Sequence, residues 1–406
     1  MARPHPRTHA AGLSLLAAIA LAACGGGGAS PGGSSDTSAA SGSGPTVDLA
    51  ALRVTTGETL FHDASLSASG RLACATCHVA ANGHADAAGS FLPIGGAALS
   101  AQGLRSSPTL RYLDAVPPFA VDTAGDAHGG LFWDGRADTR AAQTAGPLFG
   151  AAEMANADVP GLAAKVRASA AFADLATAYA LPVAADDASV VAALQQALAA
   201  YQAGDAEFHP FSAKFDAVQA GTASYSAAEA RGLAVFEDPQ RGNCASCHST
   251  RPPPGQAHAL FTNYGYFALG VPRNASDATA DPSFFDLGLC GPKRTDLVAD
   301  ATQCGRFRVP TLRNVALTAP YFHNARFATL DEVVGFYATR DTDPARWYPS
   351  VGGVVQKFDD LPAQYRGNVR QGPPFNRPGD ARPLLSAGDV ADVVAFLGTL
   401  TDGYAP

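Results

Sequence analysis

The chain has 406 residues, 28 of them basic and 36 acidic, for a formal net charge of −8. No basic cluster would track a phosphate backbone, so nucleic acid is not an expected partner; a cationic partner is favoured at long range. Glycine and proline are plentiful, 42 and 29 residues, which points to long loops.

Arg3 and Arg7 precede an uncharged apolar run that ends in Leu21-Ala22-Ala23-Cys24. The run is shorter than the ~20 residues that cross a bilayer. It reads as a bacterial lipoprotein signal over residues 1–24, cleaved before a lipidated Cys24, with an ordinary secretory signal as the alternative. The mature protein is then expected in the bacterial periplasm, touching a membrane only through that lipid. Residues 25–48 are rich in Gly and Ser, lack apolar residues for a core over most of their length, and read as a tether. Without the signal, 26 basic residues face 36 acidic ones. Roughly 360 residues follow the tether, more than one core usually serves, so two domains are expected, 49–220 and 221–406.

The elements repeat in order along the chain. Leu52, Leu60 and Phe61 suggest a helix before Cys74-Ala-Thr-Cys77-His78. Val190, Val191, Leu194, Leu198 and Tyr201 recur at helical spacing. Ser226 and Glu229 form a capping-box pattern opening a helix with Leu233 and Phe236, ahead of Cys244-Ala-Ser-Cys247-His248. Thr329 and Glu332 open another, whose Leu330, Val333, Val334 and Tyr337 share one face. Ser386 and Asp389 cap a last helix carrying Val390, Val393, Val394 and Leu397. No long alternating strand pattern occurs, and loops such as 265–292 are long. The expected fold is mainly α.

Each Cys-x-x-Cys-His can bind haem covalently: two thiols add to the vinyl groups, and the adjacent imidazole takes one axial position of the iron. A redox-active cysteine pair does not need the histidine, and a zinc site would bring both pairs to one metal. Two haem c groups are therefore expected, on Cys74, Cys77 and His78 and on Cys244, Cys247 and His248. Buried porphyrins would supply much of the core. Cys290 and Cys304 enclose a loop of about 15 residues, and in an oxidising compartment they are expected to form a disulfide, with two buried thiols as the alternative.

The stretches "FWDGRADTRAAQTAGPLFGAAEM", "FRVPTLRNVALTAPYFHNARFATLDEVVGFY" and "LPAQYRGNV" resemble the bacterial di-haem cytochrome c peroxidases and the related MauG enzymes, over about Leu52 to Tyr404. The resemblance implies two tandem cytochrome c-like domains with one haem each and a calcium ion near their interface. It implies that the amino-terminal haem meets peroxide and the carboxy-terminal haem feeds it electrons. Matched by position, Trp133 lies between the haems, and Gln143, Pro147 and Glu153 line the distal pocket of the peroxidatic haem. Glu153 would move the proton between the peroxide oxygens, a task for a carboxylate near iron. Thr318 and Pro320 match backbone calcium ligands, and Ser106 stands where the family has asparagine.

Two departures bear on function. Gly96, in "PIGGAA", occupies the position of a histidine that in many relatives closes the peroxidatic haem, so an open distal side is expected at His78. His84 is the rival ligand there, against an exposed or hydrogen-bonded histidine. Tyr337 stands where typical peroxidases place a methionine ligand of the second haem; MauG enzymes have a ligating tyrosine there, and a packed core tyrosine is the alternative. The leading expectation is a peroxidase that reduces hydrogen peroxide to water. Its electrons would come from a small periplasmic donor, a cytochrome c or a cupredoxin. A MauG-like oxidase acting on a protein side chain and a non-catalytic di-haem electron carrier are the alternatives; the carrier has no use for Glu153.

Overall fold

The computed structural model describes residues 47–86, 92–274, 281–376 and 381–405. The signal, Cys24 and the tether up to Thr46 lie outside the described residues. Among the described residues ten α-helices run in order: α1 (Leu49–Phe61), α2 (Cys74–Cys77), α3 (Arg140–Phe149), α4 (Val159–Ala168), α5 (Phe172–Ala178), α6 (Asp187–Gly204), α7 (Lys214–Gln219), α8 (Ala227–Glu237), α9 (Leu330–Thr339) and α10 (Ala387–Gly398). Sheet among the described residues is confined to four antiparallel pairs of two-residue strands. None of the described helices is long and apolar enough to cross a membrane.

The start signals act as sequence chemistry requires. Ser226, Thr329 and Ser386 each accept the N–H three residues on, while Glu229, Glu332 and Asp389 reach back to the capping N–H. Asp48 and Thr139 cap α1 and α3 in the simpler way.

Two helix crossings are built by one device. On α1, a Cβ at Gly57 would lie 2.0 Å from the Ala197 carbonyl oxygen of α6, and on α8 a Cβ at Gly232 would lie 1.9 Å from that of Asp392 on α10. Only glycine lets the backbones meet so closely. Four residues after each glycine a phenylalanine, Phe61 or Phe236, enters the core beneath. Tyr201 faces the first crossing and Phe396 the second.

Around these crossings lie separate apolar clusters. One gathers α1, α3, α4, α5 and α6, including fully buried Leu162, Leu175, Val190 and Leu194. Each such side chain contributes roughly 1.5–3 kcal/mol. The other gathers α7, α8, α9 and α10 around Phe215, Phe236, Phe261 and Phe396. α7 sides with this second cluster: Phe215 N–H donates to the Thr399 carbonyl, and Asp216 receives both terminal nitrogens of buried Arg313. A third, aromatic cluster of Phe327, Phe336, Trp347, Phe358 and Phe375 backs α9. No α-helix lies between α8 and α9 among the described residues, and long loops there carry the chain.

Candidate active site

The two Cys-x-x-Cys-His motifs are held in the same way. After α2, His78 directs Nδ1–H at the His84 carbonyl, 3.0 Å away; His248 directs its own at the Phe261 carbonyl, 2.9 Å. His84 and Phe261 both sit at left-handed φ, +55° and +51°, which turns each carbonyl toward its imidazole. A carbonyl can only accept, so each Nδ1 carries the proton and each Nε2 keeps its lone pair for a metal. Thr109 Oγ1 donates to the Gly83 carbonyl and Thr311 Oγ1 to that of Leu260, at 2.5 and 2.7 Å. Both threonines belong to a Pro-Thr-Leu-Arg tetrapeptide, residues 108–111 and 310–313.

Burial holds both imidazoles neutral, with His78 lowered from its ordinary pKa and His248 lowered to about 4. It also pushes the Cys74 and Cys244 thiols up to about 12 and Cys77 to about 11. Next to Cys77 the charges of Asp86 and Glu153 add to this effect.

His84 is neither exposed nor aimed at an open coordination site. It is 2% accessible, stacks on Phe208 at 4.3 Å, and accepts at Nδ1 from Arg111 Nε, 3.3 Å away. Its role at this site is played by its backbone oxygen.

α3 carries Gln143 and Pro147, both expected at the distal pocket, one turn apart. Pro147 has no N–H, so the Gln143 carbonyl lacks its helical partner, a local irregularity that proline imposes. The Pro147 carbonyl instead accepts from Met154 N–H at 3.0 Å, tying the helix to the turn that bears Glu153. Gly96 supports that turn from outside. Its N–H donates to the Glu153 carbonyl at 2.8 Å, and a Cβ on it would lie 2.9 Å from the Ala151 oxygen at a φ of +84°. A side chain at position 96 would be strained and crowded. The Glu153 side chain touches solvent while protein surrounds it on most sides, as at the rim of a concavity. Burial holds its carboxyl above the usual range, opposed by Lys293 and Arg136.

Beside His248 lies an apolar cleft. Cys244, Cys247 and His248 line it, and so do Tyr337, Trp133 and His323. The residues fit a haem: unpaired thiols, a free Nε2 and apolar walls converge on one space. The Tyr337 ring packs against Phe375 at 5.2 Å, and burial, then the charges of Cys247 and Cys244, raise its phenol above the ordinary range.

The two sites join through a reciprocal seam. Trp133 Nε1–H donates to the Ser106 carbonyl, and the Trp133 carbonyl accepts from Arg308 N–H, at 3.0 and 2.9 Å. In mirror fashion the His323 carbonyl accepts from Ser106 N–H at 2.8 Å. Arg308 Nε donates to the Phe132 carbonyl and Ser106 Oγ to that of Phe322, at 2.9 and 2.8 Å. Sequence reasoning missed this pairing, although its signal was present: Leu-Phe-Trp-Asp-Gly-Arg at 131–136 aligns with Tyr-Phe-His-Asn-Ala-Arg at 321–326. Arg105 was missed too. It is buried across the same seam between Asp134 (2.7 Å) and Asp286 (2.6 Å).

The calcium expectation rests on the backbone carbonyls of Thr318 and Pro320, with Ser106 at the third position. Ser106 spends its hydroxyl on Phe322, and Thr318 directs its own at the Val315 carbonyl. Among the described residues no group of three His, Cys, Asp or Glu could hold a metal ion. No step below is routed through calcium. Cys290 and Cys304 are joined as a disulfide, their Cα atoms 4.9 Å apart.

Residues 51–224 match the family described as di-haem cytochrome c peroxidase. The chain is 35% identical to the methylamine utilization protein MauG of Paracoccus denitrificans, over 85% of this chain and 87% of that one. It is 31% identical to the cytochrome c551 peroxidase of Pseudomonas aeruginosa, over 68% and 69%. The crystal structure of the dihaem peroxidase BthA from Burkholderia thailandensis superposes with a TM-score of 0.78 at 39% identity, covering 88% of this chain and 87% of that one. With two haem-binding motifs on a repeated frame and these relatives along most of its length, the chain belongs to the di-haem cytochrome c peroxidase and MauG family and is a haem peroxidase.

Proposed function

We propose that the protein reduces hydrogen peroxide to water at the His78 site, in a cytochrome c-like domain over 49–220. Electrons enter through the His248 site in a second such domain, 221–406. The donor is a small periplasmic cytochrome c or cupredoxin, and the enzyme is a periplasmic lipoprotein anchored through Cys24. The single observation that carries this reading is Glu153: a solvent-touching carboxyl that desolvation holds above its ordinary pKa and whose charge is felt at Cys77, on a turn braced by Pro147 and Gly96.

Haem held by Cys74, Cys77 and His78 supplies the iron that binds peroxide and exchanges electrons with it. Glu153 takes a proton from one peroxide oxygen and returns it to the other as the O–O bond breaks, so that two protons and two electrons yield two waters. Gln143 orients the peroxide and Pro147 shapes the space. His84 fixes the His78 tautomer through its carbonyl. Trp133, bonded to Ser106 and exposed to the His248 cleft, is the aromatic group between the sites. Calcium has no part in this reading, and elemental analysis of the purified protein checks that point.

A MauG-like second reading is favoured by Tyr337, whose phenol lines the His248 cleft and which would ligate there. Stopped-flow spectroscopy with stoichiometric peroxide tests both. Reaction of the fully oxidised protein is expected from an open His78 site. Reaction only after half-reduction would overturn that openness, and none in either state would leave an electron carrier.

A further inference from the structure

We propose that Arg308 receives a propionate carboxylate of the haem that fills the His248 cleft, and acts as the positioning residue that ties that haem to the segment bearing Trp133. The proposal rests on haem occupying the cleft.

Arg308 is 8% accessible and lines the cleft. Its backbone N–H donates to the Trp133 carbonyl and its Nε to the Phe132 carbonyl, both at 2.9 Å. Its two terminal nitrogens have no hydrogen-bond or ion-pair partner among the described residues. Other arginines as buried are paired. Arg294, Arg313 and Arg340 each hold one carboxylate with two nitrogens, those of Asp296, Asp216 and Asp341. The carboxylate whose charge reaches Arg308 is Asp134, already shared by Arg105 at 2.7 Å and Arg136 at 2.8 Å. A buried charge is costly unless it is paired. An anion entering the cleft completes the set, and a planar guanidinium with free terminal N–H groups matches a carboxylate in two parallel bonds.

The other ionisable walls of the cleft are otherwise engaged. Asp286 receives Arg105 through both oxygens, at 2.6 and 2.8 Å. Asp360 receives Asn324 at 3.1 Å and Arg273 at 3.4 Å. His323 stacks on Phe307 at 3.5 Å, and burial lowers its pKa to about 4, so it is neutral. Arg370 is the rival cation. It is partly exposed and donates to the Ser246 hydroxyl at 3.4 Å, between the two attachment cysteines. Haem c is attached through its vinyl edge, and its propionates stand on the opposite edge of the ring. Arg370 is therefore at the wrong edge, whereas Arg308 is bonded into the seam at Trp133.

The internal repeat shows that this receptor is one-sided. Two residues before each Pro-Thr-Leu-Arg stands the residue that bonds the other half, Ser106 in the first and Arg308 in the second. Ser106 has one hydroxyl proton and gives it to the Phe322 carbonyl. Arg308 gives Nε–H to the Phe132 carbonyl and keeps its remaining donors. One side chain thus links the charged edge of the second haem to the backbone around Trp133.

The test uses the haem-loaded full chain as wild type, R308M, R308K and R370M, with the propionate carboxyl carbons isotopically labelled through the haem precursor aminolevulinate. Infrared difference spectra across the redox step of the second haem titrate its propionates, and spectroelectrochemistry gives its potential. Loss of the paired cation in R308M is expected to raise one propionate pKa by roughly 1–3 units, and to lower the second potential at pH values where that propionate is ionised. R308K keeps the charge and recovers most of the shift, and R370M leaves the titration in place. An unmoved titration in R308M, or a shift of that size in R370M alone, would overturn the proposal. Should R308M fail to fold with both haems, R308Q is read in the same way. Fewer than two covalent haems in the wild type is a separate result, and would overturn the haem occupancy on which the proposal rests.

Discussion

Around His78, the helix that follows the cap Thr139 presents Pro147 at its eighth residue; around His248, the helix that follows the cap Thr329 presents Tyr337 at the same step. The rest of the frame matches. Each histidine is oriented by a carbonyl at left-handed φ, each carbonyl segment is braced by a Pro-Thr-Leu-Arg threonine, and each core opens with a glycine-mediated helix crossing. The difference lies in what the repeated helix offers to the space above the motif. Proline removes a hydrogen bond from the first helix, and its carbonyl ties that helix to an acid-bearing turn. Tyrosine reaches into the second space, backed by Phe375 and Phe336. On the proposed function, one frame thus yields one site for proton transfer and one for a second axial ligand.

Five changes break or sharpen that contrast. The largest expected effect is C244S/C247S, which removes the haem that fills the second cleft; one covalent haem per chain and an unstable second half are expected by pyridine haemochrome assay and limited proteolysis. Fewer than two haems in the wild type would end the comparison at its root. Next, Glu153→Gln is expected to leave both haem spectra intact and to lower peroxide turnover by about 10²- to 10⁴-fold. Unchanged turnover would remove the chemical distinction of the first site.

Removing the disulfide in C290S/C304S is expected to cost ~3 kcal/mol in denaturant unfolding, from the loop of 14-residue separation it closes. Tyr337→Met replaces an oxygen donor by a neutral thioether. It is expected to raise the potential of the second haem by on the order of 0.1 V, a fraction of the ~0.8 V range that axial ligands command. An unmoved potential in spectroelectrochemistry would make Tyr337 a packing residue only.

The smallest effect concerns stability against pH. Burial lifts Asp360, at the second cleft, from 3.8 to about 7. Between those values the folded protein keeps a proton that the unfolded chain has lost, so stability is expected to fall as pH rises from about 4 to about 7. Asp360→Asn should flatten that slope in thermal melts.

Much of this was legible in the chain itself. The Cys-x-x-Cys-His motifs are local, because thioether attachment and axial ligation need only three side chains at fixed spacing. The capping pairs Ser226 with Glu229, Thr329 with Glu332 and Ser386 with Asp389 are local too, since their bonds span three residues. The His84 outcome was not legible: whether a histidine six residues beyond a ligand points its ring or its carbonyl at the site depends on one left-handed φ and on Phe208, which is far away in sequence.

The sequence by itself therefore determined the helical class and the starts of α8, α9 and α10, because each rests on interactions within a few residues. Tertiary structure decided the relations between the halves. Ser106 meets Phe322, Arg105 meets Asp286, and Arg294 reaches the Asp134 carbonyl, all across more than 150 residues of chain. Such pairs form only when two separately packed cores come together. Their partners are selected by the burial of charge and of backbone carbonyls at the seam, which no short window of sequence records.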